Sequence, residues 1–300
     1  MQFPRRLTKK PGHSRNSKTN TMHIALLGAG GKMGCRLTAN LRHLSHYQIS
    51  YVETDEERSE ELAADGIKTI PLEEAIRHAA IVVLAIPDRL IGKVTRDIVP
   101  SLSAGTIVFG LDPAAAYAGV MPDRPDITYF IAHPCHPLLF SDTAPANQET
   151  DWFGGQGALA QSVVCTLFQG PEEHYVIGEK LAGEMFAPIL RLHRITIEQM
   201  AILEPAVVES TMATCVTILR EAMEAAIQKG VPKQAAYDFC LGHIRTELAI
   251  VFGFAEFPFS DGAIKAIELN KPRIFREDWK NVITIPALQE SVRQICEAST

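Results

Sequence analysis

The chain has 300 residues, 46% of them hydrophobic, a formal net charge of −6 and six cysteines without a CxxC pair. That length suits two domains with a sizeable core. The acidic balance offers nothing to a nucleic acid, and the cysteine spacing fits neither a zinc finger nor a secreted disulfide framework, so reduced thiols in a cytoplasmic protein are expected. No uninterrupted apolar run approaches the ~18 residues of a membrane span, so no membrane partner is expected.

Residues 1–21 carry Arg5, Arg6, Lys9, Lys10, Arg15 and Lys18, no acid and almost no apolar side chain. Such a segment buries too little to order itself and lacks the apolar core of a signal peptide. Pro4, Pro11 and Gly12 oppose the amphipathic helix of a mitochondrial presequence. Met22 directly precedes the first strand, so the reading is a disordered, dispensable tail from an upstream start, with targeting as the alternative.

The apolar run from His23 to Leu27 predicts a strand. It feeds a glycine turn, Gly28, Gly30, Gly31 and Gly34, which opens a helix expected over Lys32–Leu44. Strand, glycine turn and helix start in that order make a dinucleotide site: the backbone approaches a pyrophosphate closely, and the first helical N–H groups hold it. Lys32 and Met33, in the first helical turn, are read with the glycines as cofactor-binding, and Met33 stands where the commonest form of the motif has its third glycine. A second strand, Ile49–Val52, ends in Glu53, placed to accept from the adenosine ribose hydroxyls and so to favour NAD over NADP.

Further along, Glu56–Asp65 and Leu72–His78 read as helices, with Lys68–Ile70 as a short strand between them. The apolar run Ala80–Ile86 reads as a strand buried on both faces. Leu90–Val99 reads as a helix, and Thr106–Phe109, Ile127–Ile131 and Val163–Phe168 as strands. Alternating strands and helices imply an α/β doubly wound parallel sheet, a Rossmann domain over residues 22–170. The rest, 171–300, reads as an all-helical substrate and dimerisation domain, with helices over Gly178–Leu203, Ala206–Lys229 and Lys233–Phe252. The second of these is apolar around much of its girth, which predicts cover from a partner subunit and hence a homodimer.

Ligands of such sheets bind outside the carboxyl ends of the strands. Asp88 and Asp112 stand there, either lining the nicotinamide end or capping the helices that follow. His133 and His136, in the run HPCHP from His133 to Pro137, stand at the end of another strand. Prolines stiffen that loop and present the imidazoles for metal ligation or proton transfer. Glu204 is a lone charge in an apolar stretch, read as a metal ligand or acid/base group against a helix cap before Pro205. Lys180 is read as a proton shuttle or a solvated amine. His243 and Glu247, four apart on one helix face, are read as a surface ion pair, with metal binding as the alternative.

Taken together, the glycine turn from Gly28 to Gly34, the HPCHP run and the segment Leu203–Pro205 resemble the D-apionate oxidoisomerases, whose layout is similar to the 6-phosphogluconate and 3-hydroxyacid dehydrogenases. The resemblance covers about residues 22–300, and HPCHP is its most discriminating part. It implies an NAD-dependent oxidation of a branched sugar acid coupled to a carbon shift. It also implies a divalent ion held first by His136 and Glu204, with His133 next. A mixed nitrogen and oxygen donor set suits zinc, with manganese or magnesium as alternatives. A plain 3-hydroxyacid dehydrogenase and a non-catalytic NAD sensor are the competing readings.

Overall fold

In the computed structural model the described residues are 21–140, 151–155, 157 and 159–297. The basic tail expected over residues 1–21 lies outside them, but for Thr21.

The elements in chain order are β1 Met22–Leu27, α1 Lys32–Leu41, β2 Tyr47–Val52, α2 Glu56–Ala64, α3 Leu72–Ile76, β3 Ile81–Leu84, α4 Asp88–Ile98, β4 Ile107–Gly110, α5 Ala114–Tyr117, β5 Thr128–Pro137, β6 Gln161–Gln169, α6 Glu173–Met185 and β7 Ile189–Arg194. There follow α7 Ile197–Ala201, a wide π-type segment Ile202–Ala213, α8 Thr214–Gln228, α9 Lys233–Val251, α10 Asp261–Ile274 and α11 Ile285–Glu297. The strands form one sheet of order β2-β1-β3-β4-β5-β6-β7. Neighbours pair in parallel except β5 and β6, which are antiparallel.

The central strands β3 and β4 are buried throughout, as continuous apolar runs between two helical layers must be. On one face Leu37 and Leu41 of α1 and Leu181 and Met185 of α6 pack with Leu26, Val83 and Phe109. On the other, Ile76 of α3 and Ile91 and Ile98 of α4 pack with Leu27, Val82 and Val108. The C-terminal α11 returns to the sheet domain, burying Leu288 and Val292 against Ala114, Ala201 and Ala206.

Three expectations change. The helix expected over Gly178–Leu203 is α6, then strand β7, then α7. Pro188, which cannot continue a helix, stands between α6 and β7, so the sheet runs past the boundary expected at residue 170. Lys68–Ile70 makes only an isolated bridge, Tyr51 with Thr69. The histidine run is part of β5 rather than a loop after it. Past Ile131 the strand has outrun β4, and from Ala132 onward it pairs with β6 alone. A strand with one open edge tolerates proline there, which is why Pro134 and Pro137 do not end it.

From Ile197 to Gln228 the chain is one helix of 32 residues, long and apolar enough by length and composition to cross a membrane, with 11% of its most apolar window buried. Polar residues interrupt the run in sequence; the continuous helix joins its apolar stretches. Its first turns are buried at Met200, Ala201, Pro205 and Ala206. Further on, Met212, Val216 and Leu219 are exposed, as are Phe239, Phe252 and Ile267 of the following helical region.

Candidate active site

The glycine turn sits between β1 and α1. Gly28 takes φ +77°, and a Cβ there would lie 2.4 Å from the carbonyl oxygen of Ala85 on the neighbouring strand. At Gly34 a Cβ would lie 2.0 Å from the Gly28 carbonyl oxygen. Gly34 therefore lets the helix sit against its own entry turn, the task that Met33 leaves unfilled; Met33 instead packs against the core. Gly31 is the N-cap in extended conformation with no side-chain partner, so the first N–H groups of α1 are free for an anion.

Glu53, at the end of β2, turns its carboxylate back onto this turn. One oxygen accepts from Gly30 N–H at 2.9 Å, and the other from the N–H groups of Thr54 and Asp55 at 2.8 and 3.1 Å. The carboxylate is thus held beside the turn, as a ribose-binding acid requires.

At the carboxyl ends of β4 and β5 lies a polar cluster. Asp112 follows β4, and its Oδ1 accepts from Ala114 N–H at 2.8 Å. That bond holds the carboxylate at the start of α5 and keeps Oδ2 directed at His133, 3.9 Å from Nδ1. His133 Nδ1 donates to the Leu111 carbonyl at 2.8 Å. The proton is thereby fixed on Nδ1, and Nε2 faces Glu204 Oε2 at 3.4 Å. In the neutral imidazole Nε2 is an acceptor and a carboxylate oxygen is another, so the two can face one another only with a proton or a cation between them. Asp112, His133 and Glu204 each offer a ligand atom, and these atoms all lie within 4.8 Å of one another. Divalent-ion bonds to nitrogen and oxygen are about 2 Å, so the donor set fits one ion with modest adjustment.

Glu204 does not cap a helix. It lies inside the π-type segment, with Pro205 also inside it. Ser210 and Thr211 hydroxyls donate to the carbonyls five residues back, Pro205 and Ala206, at 2.6 and 2.9 Å. An i→i+5 register brings residues five apart to one side, which aligns Glu209 with Glu204. Burial raises the Glu209 carboxyl, helped by the charges of Glu204 and Asp88 and opposed by His133. Asp88, at the first position of α4, is pushed up to about 7 by burial and then by Asp112. Burial likewise raises Asp112. Four acids therefore crowd one imidazole.

Of the side chains singled out from the sequence, the fold gathers Glu204, His133, Asp88 and Asp112. His136 stands apart. Its ring centroid is 6.3 Å from that of His133, and its Nδ1 donates to the Phe153 carbonyl at 3.0 Å. Among the described residues, the group whose ligand atoms lie within 4.8 Å of one another is Asp112, His133 and Glu204, which shares Glu204 with the expected pair and does not include His136. Lys180 is exposed on α6 and lies 3.9 Å from Glu184, which also bonds His46 and Tyr47; it is not gathered with the cluster. His243 stacks on Phe239 and bonds its carbonyl. Glu209 is the acid that sequence reading passed over, because helical spacing of 3.6 sets residues five apart on different faces.

Residues 23–111 match the family model described as NADP oxidoreductase, coenzyme F420-dependent. Residues 141–296 match the C-terminal domain of decarboxylating phosphogluconate dehydrogenase. A Rossmann glycine turn joined to that helical half, around a cleft of acids and an imidazole, defines a nicotinamide-dependent oxidoreductase. Among relatives, a D-apionate oxidoisomerase of Cupriavidus necator is 47% identical over 91% of this chain and 98% of its own length. Another from Rhizobium rhizogenes is 43% identical over the same shares. The crystal structure of a semialdehyde dehydrogenase NAD-binding protein from Cupriavidus necator, in complex with calcium and NAD, superposes with a TM-score of 0.87 at 47% identity, covering 91% of this chain and 99% of that one. The chain belongs to the D-apionate oxidoisomerase family.

Proposed function

We propose that this enzyme oxidises D-apionate with NAD and rearranges the product to 3-oxo-isoapionate, with a divalent cation held by Asp112, His133 and Glu204. The observation that carries the reading is the facing of His133 Nε2 and Glu204 Oε2 at 3.4 Å beside Asp112, at the strand ends where a nicotinamide would lie. Family membership supports the substrate. The calcium and NAD of the 47% identical structure support both groups.

Bound NAD would supply the hydride acceptor for C2, and as the C2 hydroxyl gives up its proton the substrate becomes a 2-oxo acid. The hydroxyl on C3 then loses its proton, the hydroxymethyl group moves from C3 to C2, C3 becomes the carbonyl and the C2 oxygen regains a proton. A cation on this donor set would acidify the hydroxyls and stabilise the alkoxide charge that develops. The residues do the rest. Leu111 fixes the His133 tautomer, and Ala114 N–H fixes the Asp112 rotamer. Asp88, raised to about 7, is suited to accept and return a proton near neutral pH. His136 lies close enough to orient substrate, and Lys180 has no part in the chemistry. The mixed donor set suits zinc, with manganese and magnesium as alternatives.

The exposed apolar side chains of the helical half, among them Met212, Val216, Phe239 and Phe252, support a homodimer in which a second copy covers them. The test of function is incubation of the protein with NAD and D-apionate, with and without chelator. NADH and 3-oxo-isoapionate should form only without it. NADH formation with an unrearranged 2-oxo product would reduce the reading to simple dehydrogenation, and turnover unaffected by chelator would remove the cation.

A further inference from the structure

The acids crowd one side of His133; beyond His136 and Phe153 stands a cation. Lys32 opens α1, and its backbone belongs to the pyrophosphate turn. Its ammonium lies 3.3 Å from the centroid of the Phe153 ring. Among the described residues no carboxylate pairs with it. Arg36, one turn on, is already taken by Asp151 at 2.7 Å and by the Gly154 carbonyl. The Phe153 carbonyl in turn accepts from His136 Nδ1, and its ring meets the His136 ring edge-on at 5.3 Å between centroids.

His136 reaches this position with φ +59°, in the left-handed region. That conformation is uncommon for a residue other than glycine and persists where surrounding contacts hold it. It falls where the pairing of β5 with β6 shifts register, between Pro134 and Pro137, and a bulge of this kind re-aims a side chain. With Nδ1–H committed to Phe153, the ring keeps Nε2 for a ligand. Lys32, Phe153, His136 and His133 therefore form a row leading from an ammonium stacked on an aromatic ring to the acid and imidazole cluster.

A hydroxy acid has complementary chemistry: a carboxylate with a hydroxyl on the adjacent carbon. Even with a divalent cation on Asp112, His133 and Glu204 drawing the oxygens of the reacting carbons, a carboxylate among four acids gains from a second cation, and Lys32 supplies one. We propose that Lys32 and His136, both braced by Phe153, form the subsite that holds the substrate's carboxyl end. The Lys32 ammonium pairs with the carboxylate, and His136 Nε2 accepts from a neighbouring hydroxyl. Backbone N–H groups serve the dinucleotide's pyrophosphate and leave the ammonium for the substrate. The assignment rests on the hydroxy-acid reading above and deepens it.

The test is calorimetric binding of D-erythronate and of its neutral amide to the protein loaded with NADH, where no turnover occurs. The wild type should prefer the acid by about 10- to 100-fold, the range of a charge-assisted hydrogen bond. Lys32→Met should bring that ratio close to one, and Lys32→Arg should keep most of it. His136→Asn, which retains a residue tolerant of the left-handed region, should weaken acid and amide alike by about tenfold. An acid-to-amide ratio unchanged by Lys32→Met overturns the assignment, and a simultaneous tenfold loss of NADH affinity would put Lys32 on the pyrophosphate instead. Undiminished binding to His136→Asn overturns the part given to His136. A wild type that binds neither compound refutes the hydroxy-acid reading itself, a result separate from either variant.

Discussion

Replacing Asp88 by asparagine removes a charge from the most crowded part of the cleft while keeping the shape of the side chain. Asp88 is raised from an ordinary 3.8 to about 7 by burial, then by Asp112. His133 and Glu204 act on it with opposite signs, and Glu209 and Cys296 feel its charge in return. A raised carboxyl means that the folded state binds the extra proton between the two values. Stability is therefore lost as pH rises from about 4 and stops falling above about 7. Asparagine carries no such penalty. In chelated protein, Asp88→Asn should be more stable than the wild type by about 1.5 kcal/mol at pH 5, widening to about 4 kcal/mol at pH 8. For a chain of this size that is a gap of roughly 3 °C growing to roughly 8 °C or more in Tm. Thermal melts with chelator across pH 5–8 read the gap directly. A gap that does not change with pH, or an asparagine variant less stable at pH 8, would refute the claim that burial and neighbouring acids hold this carboxyl up. A saturating divalent cation should narrow the gap by offsetting the crowded charge.

Other outcomes follow from the same geometry. His133→Ala and Glu204→Gln should each cut turnover on D-apionate by about 10²–10³-fold with NAD affinity nearly unchanged, whereas Lys180→Ala should leave both unchanged; steady-state rates beside NAD calorimetry check this. Gly30→Val should abolish dinucleotide binding, since even a Cβ there would lie 2.7 Å from Arg58 Cβ and 3.0 Å from Glu53 Oε2. Glu53→Gln should narrow the preference for NAD over NADP in the same titration, and an unchanged ratio would remove Glu53 from the ribose. A chain beginning at Met22 should scatter light as a homodimer at micromolar concentration and keep full activity. Phe239→Arg on α9 should shift it toward monomer.

Much of the sheet half was legible in the sequence because its signals are local. The run before Gly28, the glycine turn, and the buried stretch around Ile81–Leu84 fix strand, turn and helix through covalent geometry and hydrophobic pattern, and Glu53 falls at the end of the second strand as its spacing requires. The helical character of most of the second half and the apolar girth of the helix that runs on from Ala206 were also local, being periodicities within one element. What the sequence alone left open were relations between elements. β7 is an exposed edge strand whose apolar pattern is weak, so only its pairing with β6 reveals it. HPCHP reads as a proline-broken loop until the sheet shows β5 outrunning β4, where an open edge needs no N–H. Above all, choosing between His133 and His136 depended on which imidazole faced Glu204. Two ring nitrogens three residues apart look alike in sequence. The bulge that turns His136 to Phe153, the Leu111 carbonyl that orients His133, and the π register that sets Glu209 beside Glu204 arise only when distant segments pack. Local chemistry supplied the candidate donors, and tertiary packing decided which of them share a point in space.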